Sequence, residues 1–532
     1  MAVFSFTSVF FAFCWLISQV GGSAICNFTA SSLSFDSDTT VLSTTFYSNG
    51  STIPLPGTVA SCAINSTIAT GDLCRITLNV QTSCMSSIFL EAWLPTNWNG
   101  RFLASGTGGI GGCVDYTVLQ SGVQQGFATL GQNAGHNGST GFDFFLNNRE
   151  SLIDFGYRST HIEAVTGRQL VEQYYGKPAT KNYYMGCSTG GRQAFKTAMM
   201  YPEDFDGMLA GSPGVDWLRV VSSKGILAGR IGWPDVSSPA YLSDDQWTAI
   251  VAEQIKQCDG LDGVIDGILD DPTKCGFNPE TCACGTGVLN NSVCLNPYQV
   301  NSVRQAYLPI ADTKGDIVYP AWDYGVATDV FSKYPTSYAI LSDYFRGAIY
   351  NNSDWNSSDF TAADMDFAVK VNPGSVNTGE SDLSAFFARG GKLMAYHGRN
   401  DNSVTSRNSE NYFNDVQRTL NLTITQIHSF YRLFFIPGMH HCTGGPGAWD
   451  IGQNGPVPTD MLTVQDNALM SLVEWVESGV EPESLVGTKY TDDNHSMPVL
   501  AQRAHCVYPN VSVWDGIGDT KVASSWNCRL PS

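Results

Sequence analysis

Tyr183-Tyr184-Met185-Gly186-Cys187-Ser188-Thr189-Gly190-Gly191-Arg192 decides the architecture of this chain. The first three residues read as a short buried strand. From about Gly191 to Met200 the spacing turns helical. Between them, Gly186, Ser188 and Gly190 satisfy G-x-S-x-G in a strand-turn-helix context, the pattern of a nucleophile elbow. Small residues permit the sharp turn that lifts the Ser188 hydroxyl above a sheet. The helix N-terminus behind it offers free N–H donors and a positive dipole end.

A serine nucleophile needs a base, and the base needs an acid to orient it. The α/β-hydrolase order is serine, acid, histidine. Asp401 follows the strand Lys392-Leu393-Met394-Ala395-Tyr396-His397-Gly398, and His441 follows the strand Phe430 to Ile436. Both fall on loops after strand C-termini, where open α/β sheets place their sites. The chain has only 8 histidines, and His440 is the rival base.

Cys187 precedes Ser188, and Cys442 follows His441. If nucleophile and base meet, these neighbours come within the Cα separation of about 4.4–6.8 Å that a disulfide requires. Other readings are a thiol nucleophile at Cys187 and a metal site at His440, His441 and Cys442.

The wider chain suits a secreted enzyme. It has 532 residues, 43% of them hydrophobic and 15% charged, which excludes a disordered chain. The net charge of −20 argues against nucleic-acid or anionic-membrane partners. Residues 1–24 carry no charge, include the apolar run Val9 to Ile17 and end in Gly21-Gly22-Ser23-Ala24, so they read as a signal peptide. No other stretch is long and apolar enough to span a bilayer. Loss of Cys14 with the signal leaves 14 of the 15 cysteines, an even number. Sequons begin at Asn27, Asn49, Asn65, Asn137, Asn290, Asn351, Asn356, Asn421, Asn494 and Asn510.

Strand and helix signals alternate up to about residue 214. Strands are expected around Ile76–Val80 and Ile88–Leu94, and a helix around Arg158–Tyr175. Residues 215–382 break this rhythm and gather cysteines, so they read as an inserted lid domain. The sheet resumes near Gly391, and Met461–Gly479 reads as the last helix. The expected fold is an α/β-hydrolase, with residues 25–214 and 383–532 as its catalytic domain.

Cys187-Ser188, Asp401 and His441-Cys442 resemble the CS-D-HC motif of the tannase and feruloyl esterase family. The resemblance extends to Trp98-Asn99-Gly100-Arg101-Phe102, Gly390-Gly391-Lys392-Leu393 and Pro437-Gly438-Met439, and is strongest to fungal type B feruloyl esterases. It departs at Arg399-Asn400-Asp401-Asn402 and at His440, where many members have glycine. It implies Ser188 as nucleophile, Asp401 as acid, His441 as base and a Cys187–Cys442 bridge. The oxyanion donors are expected to be the N–H of Thr189 and one from the cluster Gly106-Thr107-Gly108-Gly109-Ile110-Gly111-Gly112, namely Gly108, with Gly109 close behind.

Cys258-Asp259-Gly260-Leu261-Asp262-Gly263-Val264-Ile265-Asp266-Gly267-Ile268 places three carboxylates within eight residues, and hard oxygen ligands favour Ca²⁺. The resemblance implies a structural Ca²⁺ held by Asp259, Asp262 and Asp266 with the carbonyls of Val264 and Ile268. It also implies pairs Cys26–Cys74, Cys62–Cys113, Cys258–Cys275, Cys284–Cys294 and Cys506–Cys528, leaving Cys84 and Cys282. The activity implied is hydrolysis of hydroxycinnamate esters of plant cell-wall material, with a tannase acting on galloyl esters as the alternative and a catalytically silent binding protein as a reading of another class.

Overall fold

The alternation at Ile76–Val80 belongs to a longer strand, because residues 86–95 pair along residues 73–83 on one side and residues 39–47 pair along residues 73–80 on the other. A computed structural model describes Cys26, residues 33–332 and residues 339–531. The signal segment and Asn27 lie outside the described residues. Among those described, nine strands build one mixed sheet: β1 (Thr39–Tyr47), β2 (Leu73–Ser83), β3 (Ser86–Pro95), β4 (Arg101–Ser105), β5 (Ala128–Gln132), β6 (Lys181–Cys187), β7 (Gly207–Gly211), β8 (Lys392–Gly398) and β9 (Tyr431–Ile436). Their order is β1-β2-β3-β5-β4-β6-β7-β8-β9. Pairing is antiparallel from β1 to β5 and parallel from β5 to β9.

Helices pack on both faces. The longer helices of the chain, in order, are α1 (Tyr116–Gln124), α2 (Ser159–Tyr175), α3 (Thr189–Met200), α4 (Trp217–Arg230), α5 (Asp244–Cys258), α6 (Pro297–Ala306), α7 (Ala362–Val371), α8 (Ser406–Thr419) and α9 (Ala468–Ser478). Successive strand side chains point to opposite faces. Tyr184, Leu393 and Ala395 accordingly join Leu170, Phe195 and Phe413 of α2, α3 and α8. Tyr183, Met394 and Tyr396 join Val118 of α1 and Leu472 and Trp475 of α9. A sheet covered on both faces with parallel central strands is an α/β fold.

Residues 215–382 supply α4 to α7. Leu227, Trp247, Ile250, Val303, Trp322 and Phe331 form a cluster inside this segment. A second cluster joins the segment to the sheet body, with Phe145 and Phe155 against Trp217 and Tyr344. The Trp217 and Tyr344 rings cross edge to face at 4.4 Å, and Phe155 meets Trp217 at 5.4 Å.

One local reading needs correction, and two features go beyond the sequence reading. The last helix begins at Ala468, where the Asn467 side chain caps the Met470 N–H, so Met461 ends a separate short turn. Strand β7, Gly207-Met208-Leu209-Ala210-Gly211, is too small in side-chain volume to show as an apolar run, yet it lies fully buried between β6 and β8. The C-terminal region adds two ribbons, Ser484–Tyr490 with Val499–Cys506 and Val511–Trp514 with Trp526–Arg529. Among the described residues, no helix is long and apolar enough to cross a membrane.

Candidate active site

Strand β6 ends at Cys187, and α3 starts at Thr189, so Ser188 alone makes the turn. Its φ of 61° and ψ of −117° are unusual for a residue with a Cβ. Backbone bonds on both sides hold that conformation. The Ser188 N–H donates to Gly211 O at 2.9 Å, and Ser188 O accepts from the N–H groups of Arg192 and Gly214, each at 3.0 Å. A Cβ on Gly191 would stand 2.5 Å from Gly211 O, so the helix approaches β7 this closely only with glycine there.

Asp401 and His441 leave the ends of β8 and β9 and meet. The His441 Nδ1–H donates to Asp401 Oδ2 at 2.8 Å and lies 3.0 Å from Oδ1. Its Nε2 is thereby left as the acceptor. Asp401 is 2% exposed, and its Oδ1 accepts from the N–H groups of Ser403 at 2.7 Å and Val404 at 2.8 Å. Burial alone would push this carboxyl up. Electrostatic attraction to the His441 ring and hydrogen bonds from His397 and His441 outweigh it and hold Asp401 well below the usual carboxylate range. The loops are themselves joined, with Arg399 N–H to Ile436 O at 2.9 Å and Asn400 N–H to Met439 O at 3.0 Å. A Cβ on Gly398 would be 2.2 Å from Met439 O, which explains glycine at the end of β8.

Cys187 and Cys442 are bonded, with Cα atoms 6.1 Å apart across 255 residues of sequence. The chain-entropy model credits a loop this long with about 5 kcal/mol as an upper figure. The Cys442 N–H donates to Ser212 Oγ at 3.4 Å, and its carbonyl accepts from Gln453 Nε2 at 3.2 Å. The pairs Cys26–Cys74, Cys62–Cys113, Cys258–Cys275, Cys284–Cys294 and Cys506–Cys528 are also formed. Cys84 stays free and exposed, and Cys282 free and buried. Cys187 is therefore no thiol nucleophile, and Cys442 is no metal ligand.

The glycine cluster lies against the start of α3. The Thr189 hydroxyl donates to Gly109 O at 2.5 Å and accepts from Trp217 Nε1 at 3.2 Å. The N–H groups of Gly106 and Thr107 are taken by Met185 O and Gln193 Oε1. Gly108 is exposed, with open space where a Cβ would stand. Gly109 faces Ile340 of the inserted segment.

Side chains that the motif search passes over complete the site. His397 is fully buried and reaches Asp401 Oδ2 with Nε2 at 3.1 Å. The expected neighbour, His440, is half-buried beside Gly445, and burial lowers its pKa against the opposing charge of Asp401. Lys224 of α4 lies 3.9 Å over the Trp322 ring and 3.5 Å from Asn402 O. Burial pushes its ammonium well down, and the Asp401 charge opposes that. No short-range pattern marks His397 or Lys224, because each acts through a fold contact.

The acidic loop lies apart, closed by Cys258–Cys275. Asp259 accepts from Gly267 N–H at 3.0 Å, Asp262 from Val264 N–H at 2.9 Å and Asp266 from Ile268 N–H at 3.0 Å. Asp262 Oδ2 and Asp270 Oδ1 are buried with no hydrogen-bond partner among the described residues. Burial raises Asp270 well above its ordinary range, opposed by Arg503 and reinforced by Asp262 and Asp266. Buried, unpaired carboxylate oxygens among like charges suit a cation. Among the described residues, however, no three acidic, histidine or cysteine side chains gather closely enough to hold a metal, so Asp259, Asp262 and Asp266 do not form a ligand set by themselves.

The family profile described as "Tannase and feruloyl esterase" matches residues 74–529. The chain belongs to the tannase and feruloyl esterase family. It is 39% identical to "Probable feruloyl esterase B-2" of Aspergillus flavus over 492 residues, 90% of this chain and 93% of the relative. The crystal structure of feruloyl esterase B from Aspergillus oryzae superposes with a TM-score of 0.90 at 35% identity, covering 96% of this chain and 100% of the other. Tannin acyl hydrolase from Aspergillus niger shares the fold, with a TM-score of 0.72 at 19% identity over 96% of this chain and 95% of the other. The chain is thus an enzyme, a carboxylesterase of a family with a serine mechanism.

Replacing Cys187 and Cys442 together by alanine is expected to lower kcat/KM at least about tenfold and the melting temperature by several degrees, leaving the circular dichroism of the fold unchanged. Wild-type kcat/KM in that variant, measured under oxidising conditions, contradicts the clasp.

Proposed function

We propose that the chain is a secreted α/β-hydrolase that cleaves hydroxycinnamate esters, such as feruloyl, p-coumaroyl or caffeoyl esters of plant cell-wall material, through an acyl-enzyme. The observation that carries this is the His441–Asp401 hydrogen bond at 2.8 Å, delivered to the nucleophile elbow by the Cys187–Cys442 bond. His441 Nε2 takes the Ser188 proton as Oγ attacks the ester carbonyl. Thr189 N–H and Gly108 N–H receive the oxyanion. Collapse breaks the bond to the alcohol oxygen, which leaves with the proton from His441. Water, activated by the same imidazole, then releases the acid.

Residues 215–382 act in this reading as the lid. Supporting contacts reach three parts of the site: Trp217 to Thr189, Ile340 to the glycine cluster and Lys224 to the acid loop. The feruloyl preference is carried over from relatives bearing that name, such as the one in Aspergillus flavus. Secretion is supported by the apolar leader and the disulfides. Of the described sequons, Asn49, Asn65, Asn137, Asn290, Asn351, Asn356, Asn421 and Asn494 are exposed and Asn510 is half-buried, which suits N-glycosylation.

The acidic loop is proposed to bind a structural Ca²⁺ through Asp259, Asp262 and Asp266 and the carbonyls of Val264 and Ile268. The ion would neutralise carboxylates that now repel one another at the edge of the inserted segment. It takes no part in the ester chemistry.

Ser188→Ala is expected to abolish turnover of methyl ferulate, by about a thousandfold or more, with an unchanged melting curve. Wild-type turnover in that variant contradicts the reading. Methyl ferulate is expected to be hydrolysed with the higher kcat/KM and methyl gallate with the lower, and the reverse order makes the enzyme a tannase. Excess chelator is expected to lower the melting temperature more than the rate at 25 °C, since about 2.7 kcal/mol is lost on removing a ligand held at a hundred times its Kd. An unchanged melting curve contradicts the Ca²⁺ site.

A further inference from the structure

Asp401 carries two imidazoles, and the motif accounts for one. His397 lies on β8 one residue before its end, in register with Phe435 of β9. It is fully buried. Its Nε2 faces two oxygens that can only accept, Val404 O at 2.9 Å and Asp401 Oδ2 at 3.1 Å. The proton must therefore sit on Nε2, shared between them. Its Nδ1 meets the Ser409 hydroxyl of α8 at 2.7 Å, which fixes the ring in its plane.

A carboxylate can rotate about its last bond and exchange its oxygens. Here Oδ1 is pinned by the N–H groups of Ser403 and Val404. Oδ2 accepts from His441 on the solvent side and from His397 on the buried side. His441 is 21% exposed at its side chain, whereas that of His397 is fully buried. The buried imidazole on the strand holds the carboxylate plane, and the part-exposed one uses it.

We propose that His397 is a positioning residue of the esterase: its Nε2–H, shared between Val404 O and Asp401 Oδ2, locks the carboxylate plane against which His441 is oriented. This rests on the reading of Ser188, Asp401 and His441 as the triad. A core histidine with a purely structural role would need only Val404 O and Ser409. The third contact, to the acid of the site, is what a structural role leaves unexplained.

The test compares His397→Leu with His397→Gln, whose side-chain N–H can stand near the Nε2 position, using methyl ferulate as substrate. In His397→Leu, kcat is expected to fall about 10- to 100-fold, the loss of one charge-assisted hydrogen bond, with KM changed less than about twofold. His397→Gln is expected to recover most of that loss. In an Asp401→Asn background, His397→Leu is expected to add less than about twofold, because the two act as one unit. Wild-type kcat in His397→Leu overturns the proposal. So does equal damage in the two single variants, or a full additional loss on top of Asp401→Asn. If His397→Leu does not fold, Ser409→Ala frees the ring without removing it; a several-fold fall in kcat at constant KM supports the proposal, and wild-type kcat overturns it. Ser188→Ala separates the two readings, since activity retained there fails the triad itself, whereas an inactive Ser188→Ala beside a fully active His397→Leu fails only the role of His397.

Discussion

The bond between Cys187 and Cys442 is the constraint on which the site depends. It joins the residue before the nucleophile to the residue after the base, so two loops distant in sequence share one covalent hinge. Hydrogen bonds alone also tie the acid loop to the base loop, through Arg399 and Asn400. The base loop is thus fixed to the nucleophile loop on one side and to the acid loop on the other. Such preorganisation lets the charges of the reaction develop against fixed dipoles, without the cost of reorganising them at each turnover.

Electrostatics around Asp401 extends this scheme. Its carboxylate is buried, which by itself opposes ionisation, yet four donors converge on its two oxygens. The net effect holds its carboxyl well below the usual carboxylate range. A negative charge beneath His441 favours the imidazolium that forms during attack. The inserted segment adds Lys224 beside the same loop, so the putting together of this acid site draws on the body and the insertion alike.

The elbow, the acid and the base were legible because their chemistry demands a local pattern. A strand, a run of small residues and a helix mark Gly186 to Gly191 as one candidate elbow among chance matches, and the flanking cysteines flag which serine and which histidine belong together. The sheet was legible only where side chains are large. Strand β7 escaped because its glycines and alanine make room for neighbours instead of filling space. The start of α9 was misplaced because the apolar residues before Asn467 mimic a helical run, while the cap at Asn467 sets the boundary. His397 stood in plain view within Tyr396-His397-Gly398, but its link to Asp401 needs the turn of the acid loop, which no periodicity encodes.

The most direct measurement is a peptide map of the oxidised enzyme after labelling with a fluorophosphonate. Trypsin should release Asn182–Arg192, which holds Cys187 and Ser188, and Leu433–Lys489, which holds His441 and Cys442. The account predicts one labelled residue, Ser188, on a peptide that runs linked to Leu433–Lys489 and separates from it on reduction. Label at any other serine, or the two peptides recovered unlinked before reduction, contradicts it.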